Sequence, residues 1–421
     1  MIEALDPVTT AGSTIVPAMT NLHSHAFQRG FAGLGESRGP DQDDFWSWRN
    51  QMYSFLDRLD PDDMLAVATM LYVELVRSGY GHVCEFHYVH NDRDGRPYAD
   101  RTIMADALIE AARRAGIGLT LLPVLYTSGD FGGQLPEPGQ RRFVMALDTY
   151  LGMLASLSAR SAREGFKVGT AVHSLRAVEA HDLAAVLAAR PADPIHMHIA
   201  EQEREVESSL NWTGQRPVEW LLANADVDAR WTLVHATHMT DAEAAGLART
   251  GATVALCPTT EGSLGDGFFN AEPFLENGGR FGIGSDSHVC TDPREELRLF
   301  EYGRRLVRRR RVLGVSPSLP HAGAWAWLRA AEAGANGSGV RLGAIKPGAR
   351  ADFLVLNGGH PSLVERDGDE LLDGLVFGGG EGVVRECWVG GRRITADGHH
   401  SMEEAATDDY RRALSRLRGR L

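Results

Sequence analysis

The chain has 421 residues, 43% hydrophobic and 24% charged, and its 43 Lys and Arg against 56 Asp and Glu give a net charge of −13. That describes a globular protein with a large core, either one big domain with a small appendage or two to three ordinary domains. The acidic balance argues against a nucleic-acid binder, and no apolar run is long enough to span a membrane. Cys84, Cys257, Cys290 and Cys387 have no short spacing, so they form neither a disulfide framework nor a cysteine zinc site. The first residues carry no basic stretch followed by an apolar core. A cytoplasmic protein is expected.

From about Ile15 to Ile283, short apolar runs alternate with longer helical patterns. Predicted strands end near His23, His87, Tyr126, His173, His198, His235, Cys257 and Asp286. A long loop from Phe27 to Leu59 follows the first strand and carries Trp46, Trp48, Arg49 and Tyr53. The first predicted helix is the clearest. Asp60 caps it, Pro61 suits its first turn, and Asp62 and Asp63 favour the positive end of the dipole. Met64, Val67, Ala68, Leu71, Tyr72 and Leu75 form its apolar stripe, and Ser78-Gly79 ends it. Eight strand-like runs, each followed by a helix, predict a (β/α)8 barrel. A doubly wound sheet is the alternative. The barrel is preferred because polar residues fall at the C-terminal ends of nearly all strands, and only a barrel brings those ends to one mouth.

Further on, Arg308-Arg309-Arg310-Arg311 continues a helical pattern with Leu299, Tyr302, Leu306 and Leu313 on one face, and reads as a solvated helix side. From about Val340 to His400, glycine and β-formers dominate, as in Asp352-Phe353-Leu354-Val355-Leu356 and Val383 to Gly391. These predict a small β-sandwich-like module formed mainly by the C-terminal region. An amphipathic helix from Glu403 to Leu417 closes the chain. The expected division is residues 1–14 as a short segment joining the small module, 15–338 as barrel, 339–400 as module and 401–421 as terminal helix.

The polar residues at the strand ends carry the chemistry. His23 and His25, two apart on an extended strand, point the same way and can offer two imidazole nitrogens to one metal ion. The fifth strand adds His196, His198 and Glu201, the sixth His235, and the eighth Asp286 in a Gly-Ser-Asp-Ser-His setting. Singly, each has a structural explanation: a hydrogen-bonded core histidine, or an aspartate capping the next helix. Their joint occurrence at strand ends one, five, six and eight points to a metal centre.

With these segments the chain resembles the amidohydrolase superfamily of metal-dependent hydrolases, and within it the formimidoylglutamate deiminase family of bacterial histidine degradation. The carrying motifs are Asn21-Leu22-His23-Ser24-His25-Ala26-Phe27-Gln28, Glu85-Phe86-His87-Tyr88, His173-Ser174-Leu175-Arg176, and His196 to Gln202. Leu256-Cys257-Pro258-Thr259-Thr260-Glu261, Leu264-Gly265-Asp266-Gly267 and Gly284 to His288 complete the set. The resemblance implies one zinc ion per subunit, held by His23, His25, His198 and Asp286, with His196 packed in the interior instead. His173 ends the fourth strand, where many superfamily members have a metal-bridging lysine. The resemblance also implies catalytic roles for Glu201, His235 and Asp286, and substrate contacts from Gln28, Arg49, Tyr88, His173 and Arg176.

The substrate so implied is N-formimino-L-glutamate, a dicarboxylate hydrolysed to N-formyl-L-glutamate and ammonia. A homodimer is expected from the family. Two other readings remain open. One is an aminohydrolase of the same superfamily acting on a heterocycle such as guanine. The other is a catalytically inactive barrel that binds a ligand. The family usually has a longer segment before the first barrel strand, which leaves the build of the small module open.

Overall fold

The computed structural model describes residues 8–10, 13–37 and 44–419. Eight parallel strands close into a barrel: β1 Met19–Ser24, β2 Tyr80–His87, β3 Gly118–Leu125, β4 Lys167–Val168 with Thr170–Val172, β5 Ile195–Ile199, β6 Trp231–His235, β7 Thr253–Leu256 and β8 Arg280–Ile283. Each pairs with the next, and β8 returns to β1 through Ile283 opposite Asn21. Nearly every barrel-strand residue is buried, because helices cover the outside and side chains fill the inside. Closure needs β8 and β1 to approach very closely at the rim. Gly284 permits this, since a Cβ there would lie 2.7 Å from the Cβ of His23.

Helix α1 (Phe45–Leu56) occupies the stretch read as a loop. Asp44 starts it, its carboxylate accepting from the backbone N–H of Trp46 and Ser47. Residues 46, 49 and 53 then share one face, so Trp46, Arg49 and Tyr53 are presented together. Helix α2 (Pro61–Ser78) is as predicted, capped by Asp60 and ended by Gly79 at φ +120°.

The helix Pro293–Arg308 after β8 departs from the sequence reading. It stops where Arg309 turns left-handed at φ +53°, so the arginine run does not continue it. Tyr302 and Leu306 of the expected apolar face are exposed. The face turned inward carries Leu297 and Phe300 together with Glu296, Glu301 and Arg304. Arg304 pairs with Glu301 at 3.1 Å and Glu272 at 3.2 Å. Hydropathy alone misplaces a helix whose buried side is held by ion pairs.

The small module is a five-stranded antiparallel sheet, in the order Val8–Thr10, Ser13–Pro17, Phe353–Leu356, Val384–Val389 and Arg392–Arg393. A two-stranded ribbon of Thr395–Ala396 and His399–His400 adjoins it. The barrel boundary expected at residue 15 falls inside a strand of this sheet, where Ile15 and Val16 lie opposite Val355 and Leu354. The apolar run from Ile15 into Met19 crosses from one sheet to the other without a break in pattern. Of the expected 1–14 segment, residues 1–7 and 11–12 lie outside the described residues. The module also contains a helix, Gly368–Asp373, running into a π turn at Gly374–Gly378. The last helix, Glu403–Leu417, returns to α2, where Arg416 pairs with Asp63 at 2.5 Å.

Gly284→Ala is therefore expected to destabilise the fold by about 1–3 kcal/mol through overpacking against β1. Gly152→Ala, in the helix Leu147–Glu164 with open space around it, is the control and should stabilise by about 0.5–1 kcal/mol. Denaturant-melt midpoints of the two variants check the contrast.

Candidate active site

The ends of β1, β5, β6 and the β8 loop converge at the barrel mouth. The Nε2 atoms of His23 and His25 lie 3.0 Å apart, and those of His23 and His198 lie 2.9 Å apart. Asp286 Oδ1 is 3.6 Å from His23 Nε2 and 3.4 Å from His25 Nε2. A tetrahedral ion with bonds of about 2.0–2.1 Å sets its ligand atoms roughly 3.3 Å apart, so the spacings among His23, His25 and Asp286 suit one ion, and His198 joins that set through His23. The outer nitrogens of two rings are already engaged. His25 Nδ1 donates to the carbonyl of Phe86 at 2.9 Å, and His198 Nδ1 to that of His173 at 3.0 Å. Each bond fixes the tautomer that leaves Nε2 as a lone pair. Burial pushes the pKa of His23 and His198 well below the ordinary histidine value and that of His25 to about 3, so all three rings are neutral donors. His196 is different. Its Nε2 meets the carbonyl of Gly337 at 2.7 Å, away from the cluster.

His235 stands beside this cluster. Its Nε2 faces Glu201 Oε1 at 3.6 Å and Asp286 Oδ2 at 3.5 Å, while Nδ1 meets Glu261 Oε1 at 3.2 Å. Although burial opposes its charge, Glu201, Glu261 and Asp286 together raise its pKa to about 10. Asp266 joins the acidic group. It accepts from the Gln202 side-chain amide, its Oδ2 is buried without a partner, and burial and Glu201 push its pKa to about 9. Glu205 accepts from the backbone N–H of Ala200 and Glu201, both at 3.1 Å, and so sets the turn that presents Glu201.

The opposite wall is cationic and aromatic. Gln28 donates to the Tyr88 hydroxyl at 3.0 Å, and its own carbonyl oxygen is buried and unpaired. Tyr88, His173, Arg176 and Arg49 line the same cavity as Glu201, His235 and Asp286. Arg49 stacks 4.5 Å over Trp46 and pairs with Glu137 at 3.3 Å. Arg176 is buried, its Nε has no partner, and no carboxylate among the described residues lies within ion-pair distance of it. The site residues expected from the sequence line one cavity, except His23, which is buried behind His25 and His198. Trp46, Arg204, Glu205, Glu261 and Asp266 were given no role in the sequence reading. The last two lie in quoted motifs, and Arg204 sits 4.4 Å over Trp46.

The model of the amidohydrolase family matches residues 14–394. The chain is 47% identical over 413 residues to formimidoylglutamate deiminase of Pseudomonas aeruginosa, covering 98% of this chain and 91% of that protein. It is 26% identical to a 5-methylthioadenosine/S-adenosylhomocysteine deaminase of Natronomonas pharaonis, covering 92% and 82%. Among solved structures, an amidohydrolase from Brucella melitensis superposes with a TM-score of 0.91 at 44% identity, covering 96% and 89%. An adenosine deaminase from Xanthomonas campestris with bound zinc shares the fold, with a TM-score of 0.79 at 21% identity over 97% and 86%. The chain belongs to the amidohydrolase family. It is a hydrolase of carbon–nitrogen bonds in a metal-dependent superfamily, and its clustered histidines and aspartate offer a place for the ion.

His198→Ala and Asp286→Ala should each lower metal content to well below one ion per chain, whereas His196→Asn should retain it. Elemental analysis of the three purified variants makes the comparison.

Proposed function

We propose that the protein catalyses the zinc-dependent deimination of N-formimino-L-glutamate to N-formyl-L-glutamate and ammonia, a step of histidine catabolism in the cytoplasm. The observation that carries this reading is Arg176, a buried guanidinium without a carboxylate partner in the wall of a metal-type cavity. Burial opposes its charge and Glu205 and Glu201 offset that at longer range, but its hydrogen-bonding edge is free, and a substrate carboxylate can engage it through two parallel hydrogen bonds. Arg49 supplies a second cation for the second carboxylate, and the relative at 47% identity carries the same activity in its name.

His23, His25, His198 and Asp286 would hold the zinc ion. Bound there, zinc is a Lewis acid that makes a water nucleophilic at neutral pH. Glu201, three residues beyond His198, accepts the proton of the attacking water. Water oxygen bonds to the formimino carbon, giving a tetrahedral intermediate. His235 steadies the charge that develops on that oxygen. Glu201 passes its proton to the terminal nitrogen. Asp286 takes the remaining hydroxyl proton and returns it to the same nitrogen as the formyl C=O forms, the carbon–nitrogen bond breaks and ammonia leaves. Gln28, Tyr88 and His173 hydrogen-bond the substrate.

Zinc-loaded protein incubated with N-formimino-L-glutamate should release ammonia, and none released with zinc verified in the protein would overturn the reading. Glu201→Gln should keep its metal and lower kcat by roughly 10²–10⁴-fold. Arg176→Met should lower kcat/KM for the dicarboxylate by about 10²-fold, the loss of one desolvated charge pair. Guanine and S-adenosylhomocysteine, assayed beside it, separate the heterocycle reading: faster turnover of either would favour that alternative.

A further inference from the structure

The segment after β7 matched the family motif in sequence but has no part in the reaction as described. Its Pro258–Leu264 helix carries Glu261, which reaches back to the barrel mouth. One oxygen, Oε1, meets both His235 Nδ1 at 3.2 Å and the backbone N–H of Cys257 at 2.9 Å. Both side chains are buried, so water cannot replace that bond. An imidazole held at one nitrogen has its ring direction fixed, and with it the aim of the other nitrogen. Here the other nitrogen is Nε2, which faces Glu201 and Asp286 at 3.6 and 3.5 Å. His235 itself starts from a strained backbone, φ +68°, and among the described residues the rings against it are His198, stacked at 5.7 Å, and His23, edge-on at 6.0 Å. Its hydrogen bond to Glu261 is therefore the polar contact that sets ring direction from outside the reacting cluster.

We propose that Glu261 is a positioning residue for the hydrolysis: its carboxylate accepts the Nδ1–H of His235 and aims Nε2 at the reacting centre. The role rests on the part given to His235 in the proposed deimination. The Cys257 N–H bond anchors the carboxylate to the end of β7, so the seventh strand acts on the reaction through the sixth. A merely structural Glu261 would need that backbone bond alone.

The zinc-loaded protein and its Glu261→Gln and Glu261→Ala variants separate the two. Glutamine keeps an acceptor for Cys257 and the side-chain shape, but not the negative charge that holds the imidazole proton. Proton NMR of the loaded wild type should show a strongly downfield imidazole N–H resonance, assigned by its disappearance in His235→Asn. In Glu261→Gln that resonance should move upfield. With N-formimino-L-glutamate, kcat should fall by about 10-fold in Glu261→Gln and about 10²-fold in Glu261→Ala, with KM within twofold and metal content unchanged. An unmoved resonance, or an undiminished kcat in folded, metal-loaded Glu261→Gln, overturns the proposal. Should Glu261→Ala fail to fold, Glu261→Gln decides alone. Wild-type protein that releases no ammonia would instead defeat the substrate assignment, and the resonance would still decide whether Glu261 holds His235.

Discussion

The seam where β8 meets β1 governs everything at the barrel mouth, because it brings His23 and His25, near the start of the chain, to Asp286. Only a few backbone contacts make the seam, among them Ile283 opposite Asn21 and the Ser24–Asp286 bridge. A chain of buried polar groups reinforces it, and the direction of every hydrogen bond in that chain follows from its last acceptor. Ser24 Oγ donates to Glu85 at 2.5 Å and so accepts from His288 Nε2 at 3.1 Å. His288 Nδ1 then accepts from Ser285 Oγ at 2.8 Å, which accepts from Asn21 Nδ2 at 2.6 Å. The series runs in this single direction when His288 is neutral, and burial does push its pKa well down. Glu85 ends the series, also accepting from Ala26 N–H at 2.7 Å and the Tyr72 hydroxyl at 3.1 Å. Fully satisfied buried networks of this kind fix one geometry, whereas a gap in them is costly.

Backbone strain concentrates at the same rim. Ala200, His235, Ala236, Asp286 and His288 all have positive φ, and none is glycine. Each such residue costs on the order of 1–3 kcal/mol and persists only where its surroundings over-determine it. Here they do: Glu205 grips the N–H groups at Ala200 and Glu201, Asp286 N–H donates to the carbonyl of His23 at 3.0 Å, and Ala236 N–H donates to that of Ile199 at 3.0 Å. The strain turns each chain sharply out of its strand at the cavity, whose wall His198, Glu201, His235 and Asp286 line.

This accounts for what could be read in the sequence and what could not. Strand ends were legible because apolar runs stopping at a histidine or aspartate are local signals, and α2 because its cap, stripe and glycine stop are local too. The crossing from small sheet to barrel at Pro17–Met19 was not, since both strands present the same apolar pattern. The helix α1 hid inside a loop because Trp46, Trp48, Arg49 and Tyr53 interrupt the apolar stripe that its buried Phe45, Met52, Phe55 and Leu56 make. Glu261 and Asp266 look like ordinary acids of a helix and a turn. Their meaning lies in His235 and Gln202, which are remote in sequence, and no local pattern records that. Arg204 is equally mute until Trp46 is known to sit beneath it.

The cavity divides its charges. Glu201, Glu261, Asp266 and Asp286 surround His235 on one side, while Arg49, Arg176 and Arg204 gather around Trp46 on the other, with ring distances of 4.5, 5.8 and 4.4 Å. The chain's net charge of −13 conceals this entirely. Removing a guanidinium such as Arg176 from water costs several kcal/mol unless an anion meets it. Under the proposed reading that cost becomes selectivity. A substrate with carboxylates at one end and an amidine at the other engages both halves at once. A neutral ring would leave Arg176 desolvated and unpaired, and sites built around a buried polar group discriminate against ligands that fail to satisfy it far more sharply than apolar pockets discriminate by size. On that reading the reacting carbon–nitrogen bond lies on the acidic side, where protons are taken up and returned, and the carboxylates on the cationic side.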